Sequence, residues 1–447
     1  MLRELFLFAF AAAMYAANDR PPKAFPFEYA QEDLPNGLRL ITVPTDYPNV
    51  VAVYIVVQAG SRNEVEPGKS GFAHLFEHVM FRGTEKFPPE KYEEVLKRSG
   101  AASNASTSDD LTVYHTTFSK ADLDQILMME ADRFQNLKYT PAVFKTETLA
   151  VLGEYNKNSA NPITKLFEAL QETVFERHTY RHTTMGFLKD IQDMPNQYEY
   201  SLKFFDRYYR PEYTTIIVVG DVRPRHVRGL VEKYWGNWKR GSYKPEIPAE
   251  PPQEAPRARH IDWPTPTIPW VAVAYRSPAY SDEAEASAAF DALSFLGFSE
   301  NSDLYQKLVI QEQKVDVFGA ENEDHVDPFF FVVLARVKKT GDMDYVRNQI
   351  LETIGGFRAR PVPAGRLESV KRHLRYRFAL RLDNSESIAS ILSRYVALRR
   401  TPETINRLYE RYARLTPEDI QNVARKYLEE KSRTIVTLTG KQAGEAR

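Results

Sequence analysis

Two histidines and a glutamate fall within five positions of one another in the stretch GFAHLFEHVMFRGTEKF, residues 71–87. Positions four apart lie one turn apart on one face of an α-helix, so His74 and His78 can aim their imidazoles at a single ion with Glu77 beside them. A catalytic zinc site wants three protein ligands and an open position for water, whose pKa falls to about 7 on the metal. A carboxylate that is not itself a ligand can then take the proton as that water attacks a carbonyl. The spacing His74-x-x-Glu77-His78 suits this chemistry. With 9 histidines and 60 acidic residues in 447, such an arrangement arises by chance about 0.02 times, so coincidence explains it poorly. The sequence has no cysteine, which removes thiolate ligands and cysteine nucleophiles and leaves any metal to histidine and carboxylate. A third ligand must come from elsewhere. KTETLAVLGEYNKN offers Glu147 and Glu154, seven residues and about two turns apart on a predicted helix, so they face the same way. One can bind the ion while the other accepts the remaining N–H of a ligand histidine. His178 and His182 in HTYRH share the four-residue spacing, but Arg181 stands between them with no carboxylate in that span, a charge unsuited to holding a cation. His115, His226, His260, His325 and His373 are isolated and read as structural or surface residues.

These residues need elements to hold them. Asn36-Gly37 sits between EDLP and the alternating LRLITV, a hairpin signal, and the apolar run Val50 to Val57 predicts a strand leading through SRNEVEPGKS into the motif helix, which Gly83 ends. YEEVLKRSG, residues 92–100, reads as a helix, and NASTSDDLTVYHTTF, residues 104–118, alternates like one strand. Helical patterns follow over Leu123 to Leu137 and from Val143 to about Asn158. Near the midpoint, GSYKPEIPAEPPQEAPRARHIDWPTPTIPW is dense in proline and reads as an extended linker. The two sides look like distant copies of each other. RYYRPEYTTIIVVG (207–220) and KYLEEKSRTIVTLTG (426–440) each run from a helix end with tyrosine through a polar turn into a β-branched strand and a glycine, while WVAVAYRSPAYSDEAEASAAFDALSFLGF repeats the strand, loop and helix around the motif. The expected fold is therefore α+β: residues 18–240 a zinc-bearing domain, 241–264 the linker, and 265–447 a homologous domain, each a mainly antiparallel sheet packed with helices.

At 447 residues, 43% hydrophobic and 27% charged, the chain has the composition of a folded protein of two or more domains. Lys plus Arg (59) nearly cancel Asp plus Glu (60), leaving no global basic field for nucleic acid. The opening MLRELFLFAFAAAMYAANDRPPKAF pairs Arg3 with an apolar run from Leu5 to about Ala13, too short to span a bilayer, and small residues after it. Residues 1–17 are expected to be a signal peptide and the chain to be exported, with a bacterial periplasm as the destination; a buried first helix, in a cytoplasmic protein, is the alternative. No other stretch reaches transmembrane length.

His74-x-x-Glu77-His78 is the inverted form of the usual zinc-protease motif, the inverzincin signature. With the later Glu147-x6-Glu154 pair, and with Phe81, Gly83 and Thr84 in the flanking stretch, the chain resembles the pitrilysin or insulinase family of zinc peptidases over nearly its whole length. The resemblance implies His74, His78 and Glu154 as ligands of one zinc ion per chain, Glu77 as general base, and Glu147 as the carboxylate that orients a ligand histidine. It also implies that the strand in SNASTSDDLTVYH binds substrate, with the backbone of Asn104, Ala105 and Ser106 pairing with an extended peptide by strand addition. In the second copy, Ala292, Phe295 and Leu296 stand where the first has His74, Glu77 and His78, so it cannot repeat the zinc site. The family's second domain supplies an arginine and, seven residues on, a tyrosine to polarise the scissile carbonyl; here those positions are Val309 and Asp316, with Tyr305 and Lys307 nearby. Losing one preorganised donor of that kind typically costs about 100- to 1000-fold in rate. The resemblance thus points to the zinc-bearing subunit of a heterodimeric endopeptidase, completed by a homologous zinc-free partner. The rival reading is a non-catalytic assembly subunit of the same fold, against which the complete ligand and base set argues.

Overall fold

The computed structural model describes residues 23–441; the expected signal peptide, residues 1–17, lies outside them. Eleven strands form two sheets among the described residues. The first contains β1 (Ala30–Asp33), β2 (Arg39–Pro44), β3 (Val50–Val57), β4 (Ala102–Thr107), β5 (Thr112–Ser119) and β6 (Thr214–Gly220), in the order β1-β2-β6-β3-β5-β4. The second contains β7 (Arg257–Trp263), β8 (Trp270–Arg276), β9 (Val315–Asn322), β10 (Phe330–Val337) and β11 (Arg433–Gly440), in the order β7-β11-β8-β10-β9. Each sheet is antiparallel except for one pair, β2 with β6 and β7 with β11. The repeat legible in the sequence is therefore a repeat of topology, β2, β6, β3, β5 and β4 answering to β7, β11, β8, β10 and β9.

Two expectations need correction. Residues 104–118 are not one strand: Thr107 ends β4, Thr112 begins β5, and the turn Ser108–Leu111 between them closes with Ser108 N–H donating to the Leu111 carbonyl at 2.8 Å. The polar run Ser-Thr-Ser-Asp-Asp masks the break, because turn-forming side chains there continue an alternation that looks strand-like. Residues 257–263, which proline-rich composition assigns to the linker, are the edge strand β7; its mostly exposed side chains carry no apolar signal.

The helices of eight or more residues are α1 (Phe72–Val79), α2 (Pro89–Arg98), α3 (Leu123–Asn136), α4 (Pro141–Asn158), α5 (Pro162–Val174), α6 (Tyr198–Tyr208) and α7 (Pro224–Trp235) in the first half. In the second half they are α8 (Ala286–Phe298), α9 (Met343–Ala359), α10 (Ala364–Ala379), α11 (Ser385–Arg399), α12 (Glu403–Arg414) and α13 (Pro417–Tyr427). One face of the first sheet packs on α1, α3, α4, α6 and α7 through residues such as Val53, Ile55, Phe72, Phe76, Phe134, Phe144 and Trp235. Its other face is covered from the second half, where Ile388, Ala389, Leu392 and Val396 of α11 meet Ile41, Val43, Ala52, Val56, Ile217 and Val219. The second sheet reciprocates: Leu166, Ala169 and Leu170 of α5 pack on Ala272, Ala274, Val332, Leu334, Val436 and Leu438. Strands buried on both faces explain the near-continuous β-branched runs VVAVYIVV and TTIIVVG. Each buried Val, Leu or Ile contributes about 1.5–3 kcal/mol, so the helix exchange binds the halves by hydrophobic burial. Among the described residues no helix is long and apolar enough to cross a membrane.

Candidate metal centre

α1 is held at its start by a left-handed glycine and a buried carboxylate. Gly71, just before it, has φ +89°, and a Cβ there would lie 2.8 Å from the Met185 carbonyl oxygen. Gly71 N–H and Ala73 N–H both donate to the Glu64 carboxylate at 2.7 Å, so a buried side chain satisfies the first orphan donors of the helix. Burial pushes the Glu64 carboxyl up to about 8, against the pull of those two backbone bonds. Farther along, Tyr114 Oη donates to the Phe76 carbonyl at 3.0 Å and lies 2.6 Å from Tyr209 Oη. The helix is thus held at its start and its middle, with Phe72, Leu75, Phe76 and Val79 buried.

On this helix the structure brings together His74, His78 and Glu154, whose donor atoms all lie within 4.8 Å of one another. Glu154 Oε2 is 3.6 Å from His74 Nε2 and 3.5 Å from His78 Nε2, and the two imidazoles stand edge to face at 82° with centroids 5.0 Å apart. A tetrahedral ion with bonds of about 2.0–2.1 Å separates its ligands by roughly 3.3–3.5 Å. These separations lie close to that spacing and exceed good hydrogen-bond distances, so the chemistry of the donor set, two imidazoles and a carboxylate, fits zinc. Burial pulls His74 below the ordinary histidine range, opposed by Glu154 and Glu77, which favours the neutral, ligating form. Its Nδ1 is buried without a hydrogen-bond partner among the described residues.

The other expected residues take distinct places. Glu77 does not join the cluster; Thr107 Oγ1 at the end of β4 donates to its Oε2 at 2.8 Å. Glu147, buried two turns before Glu154 on α4, has Oε2 3.9 Å from His78 Nδ1, too far for a hydrogen bond. Arg82 grips it instead with two contacts, Nε to Oε1 at 2.8 Å and an Nη to Oε2 at 3.1 Å. Arg82 escaped the sequence reading; it lies four residues past His78 but in the 3-10 turn Met80–Arg82 after α1, so helical spacing gives it no clear signal. Thr107 and Glu64 were also missed; neither carries a spacing signal, since chain reversals bring them to α1. Asn104, Ala105 and Ser106 lie on β4, the outermost strand of its sheet, and Ala105 N–H donates to its neighbour's Asn104 Oδ1 at 2.9 Å. His178 and His182 do not share an ion: His178 Nε2 lies 3.1 Å from Asp327, and His182 Nε2 lies 3.8 Å from Glu64.

Comparison with known proteins decides the lineage. The family profile described as Insulinase (Peptidase family M16) matches residues 39–187, and the one described as Peptidase M16 inactive domain matches residues 197–374. The chain belongs to the insulinase family of peptidases. It is 28% identical over 444 residues to "Zinc protease PqqE" of Helicobacter pylori, covering 98% of this chain and 97% of that one. It is 25% identical over 406 residues to "Probable mitochondrial-processing peptidase subunit beta" of Schizosaccharomyces pombe, covering 88% and 87%. The crystal structure of a protease from Helicobacter pylori superposes with a TM-score of 0.86 at 28% identity, covering 92% of this chain and 99% of that one.

In this insulinase-family chain the second copy of the motif helix is α8, where Ala292 and Leu296 are buried in the second core. Val309 packs against that core too, and Asp316 on β9 is paired with Arg336 at 2.8 Å. Both positions serve the fold.

Proposed function

We propose that the protein is a zinc-dependent endopeptidase subunit that cleaves peptides or unfolded polypeptides. The observation that carries this reading is the convergence of His74, His78 and Glu154, with Glu77 held beside them by Thr107. His74, His78 and Glu154 would hold one zinc ion per chain, and when bound the ion supplies a water acidified to a pKa of about 7 and a Lewis acid for the carbonyl. Glu77 takes the proton from the attacking water on its carboxylate and passes it to the leaving amine, while the hydroxyl of Thr107 fixes its rotamer. Glu147 stands 3.9 Å behind His78 Nδ1 and would orient it through its charge, beyond hydrogen-bond reach. The backbone of Asn104, Ala105 and Ser106 binds substrate as an added strand, which gives affinity with loose sequence preference.

A homologous zinc-free partner would supply the arginine and tyrosine that Val309 and Asp316 do not. The engagement of these two side chains in the core and with Arg336 supports that need. Export to the periplasm rests on residues 1–17, and the division into two units on the sequence repeat, with the joining segment shortened to 241–256 because 257–263 form β7. The test is hydrolysis of a quenched fluorescent peptide by the zinc-loaded chain, alone and with a zinc-free homologue, with Glu77→Gln as blank. Cleavage that depends on Glu77 and rises with the partner is expected. Absence of stoichiometric zinc would favour the non-catalytic assembly reading, and brisk cleavage by the chain alone would remove the partner.

A further inference from the structure

The turn Ser108–Leu111 follows directly on Thr107, the residue that holds Glu77, and it is gripped by the zinc-free half of the chain. His325, in the connection between β9 and β10, places Nε2 3.0 Å from Asp109 Oδ2 and Nδ1 2.9 Å from the Glu323 carbonyl. The next residue, Val326, donates its N–H to Asp110 Oδ2 at 2.9 Å, and Tyr180 Oη donates to the other oxygen at 2.6 Å. The residue after that, Asp327, accepts from Arg62 Nε at 2.6 Å and lies 3.1 Å from His178 Nε2. The same turn reaches the other end of the motif helix. Ser61 Oγ donates to Asp109 Oδ1 at 2.7 Å and Arg62 N–H to the Asp109 carbonyl at 2.8 Å, and a single 3-10 turn leads from there to Glu64, the residue that caps α1. Gly60 is pressed against this turn so closely that a Cβ would lie 2.3 Å from the Ser108 carbonyl.

We infer that His325 and Asp109 are positioning residues for catalysis: through one buried contact between the halves they hold both Glu77 and the start of α1. Neither touches the reacting atoms. Asp109 sits where a shift of the turn moves Thr107 two residues upstream and the Ser61 to Glu64 segment together, and both of these bear on α1. The contact is buried, with His325 5% and Asp109 13% exposed, so deleting the imidazole leaves a carboxylate without its cation and forces the turn to readjust. The second half, which has no ligands of its own, thereby acquires a role within this chain that is separate from any partner. The inference rests on Glu77 being the base.

The experiment compares His325→Ala and His325→Gln in the full zinc-loaded chain, Gln offering an amide N–H in place of Nε2. Amide hydrogen exchange is followed over residues 72–79 and 104–111, together with kcat and KM on a quenched peptide in the presence of the zinc-free homologue. In His325→Ala, exchange in both segments should rise about tenfold and kcat should fall about 10- to 100-fold with KM little changed; His325→Gln should restore most of each. Asp109→Asn, which keeps the side-chain shape, should show a smaller rise in the same two segments. Faster exchange confined to 104–111 would overturn the inference, since the coupling would stop at the turn. Faster exchange throughout the chain that Gln does not repair would overturn it as well, leaving His325 a merely structural residue. If the wild-type chain shows no Glu77-dependent cleavage even with the zinc-free homologue present, the peptidase reading fails on its own, while the exchange data still decide whether the two halves are coupled here.

Discussion

Glu147→Gln separates a carboxylate that tunes the metal from one that merely fills space. In the structure Glu147 is 3.9 Å from His78 Nδ1, with a side chain 4% exposed and gripped by Arg82. Carboxylates behind ligand histidines typically alter metal affinity 10- to 100-fold. Two features place this one at the lower end. The separation is longer than a hydrogen bond, and the bidentate guanidinium takes up much of the negative charge. Glu147→Gln should therefore weaken zinc binding about tenfold, ~1.4 kcal/mol, with little loss of fold stability because Arg82, 44% exposed, can hydrate. Arg82→Met should do the opposite in both respects. Removing the guanidinium takes a cation from the neighbourhood of the metal and frees Glu147 to close on Nδ1, so zinc should bind at least as tightly. The fold should lose about 1–3 kcal/mol, because a buried carboxylate is left without its partner. Competition with a chromophoric chelator measures the first quantity and thermal unfolding of the zinc-free chain the second. Wild-type zinc affinity in Glu147→Gln, or weakened affinity in Arg82→Met, would refute a role for Glu147 behind His78.

Glu77→Gln should keep a full equivalent of zinc, measured by elemental analysis, while cleavage falls about 10²- to 10⁴-fold, the usual share of a general base. Gly71→Ala places a Cβ 2.8 Å from the Met185 carbonyl at a φ of +89°, and should lower stability by about 1–3 kcal/mol, read as a drop in unfolding midpoint. Stability should also fall from neutral to alkaline pH. Burial alone would lower His325, but the hydrogen bond and charge of Asp109 outweigh it and push the imidazole up to about 9, so its contribution is complete below about 6.5 and lost as pH rises through 9. Glu64, pushed up to about 8, works in the same direction, its ionisation disfavoured in the folded chain as pH climbs from about 4.5. On the acid side Asp327, whose burial is outweighed by His178 and Arg62, is held down to about 2, so its contribution is present above about 3.8 and lost as pH falls through 2. Denaturant midpoints across pH 2–10 test this; His325→Gln should flatten the alkaline limb, and an unchanged limb would show that the histidine does not carry it.

What could be read from the sequence follows what is local. His74 and His78 are one turn apart, Glu147 and Glu154 are two, and the strand Val50–Val57 is a continuous β-branched run, so each falls to periodicity. The repeat was legible for the same reason, as local patterns recurring on either side of a proline-rich segment. Contacts made by chain reversal were not. Thr107 meets Glu77 across 30 residues, and His325 meets Asp109 across 216; no spacing rule reaches so far. His325 was read as an isolated structural or surface histidine, a reading that misses its ion-paired place between the halves because nothing near it in sequence is its partner. β7 was hidden for another reason, since an exposed edge strand needs no apolar alternation.

The two corresponding helices show what it takes to bring two imidazoles and a carboxylate together on a duplicated scaffold. α8 lies in the second half where α1 lies in the first, and it puts Ala292 and Leu296 into a hydrophobic core, which needs no special support. α1 puts two imidazoles toward a carboxylate, with His74 buried, and an uncompensated buried polar group is costly. Around it are a left-handed glycine, a buried glutamate cap, a tyrosine pair bonded to a helix carbonyl, and an arginine clamped on the carboxylate behind His78. Several of these devices lower stability by themselves, Glu64 most plainly, because burial holds its carboxyl so far above the ordinary range. They persist because reciprocal burial of α5 and α11 on the opposite sheets stabilises the two halves together, and that same packing sets the β9–β10 connection against the turn after Thr107. A second half without the His-x-x-Glu-His motif is thus still needed, since it supplies both the apolar contact that covers the first sheet and the ion pair against the turn after Thr107.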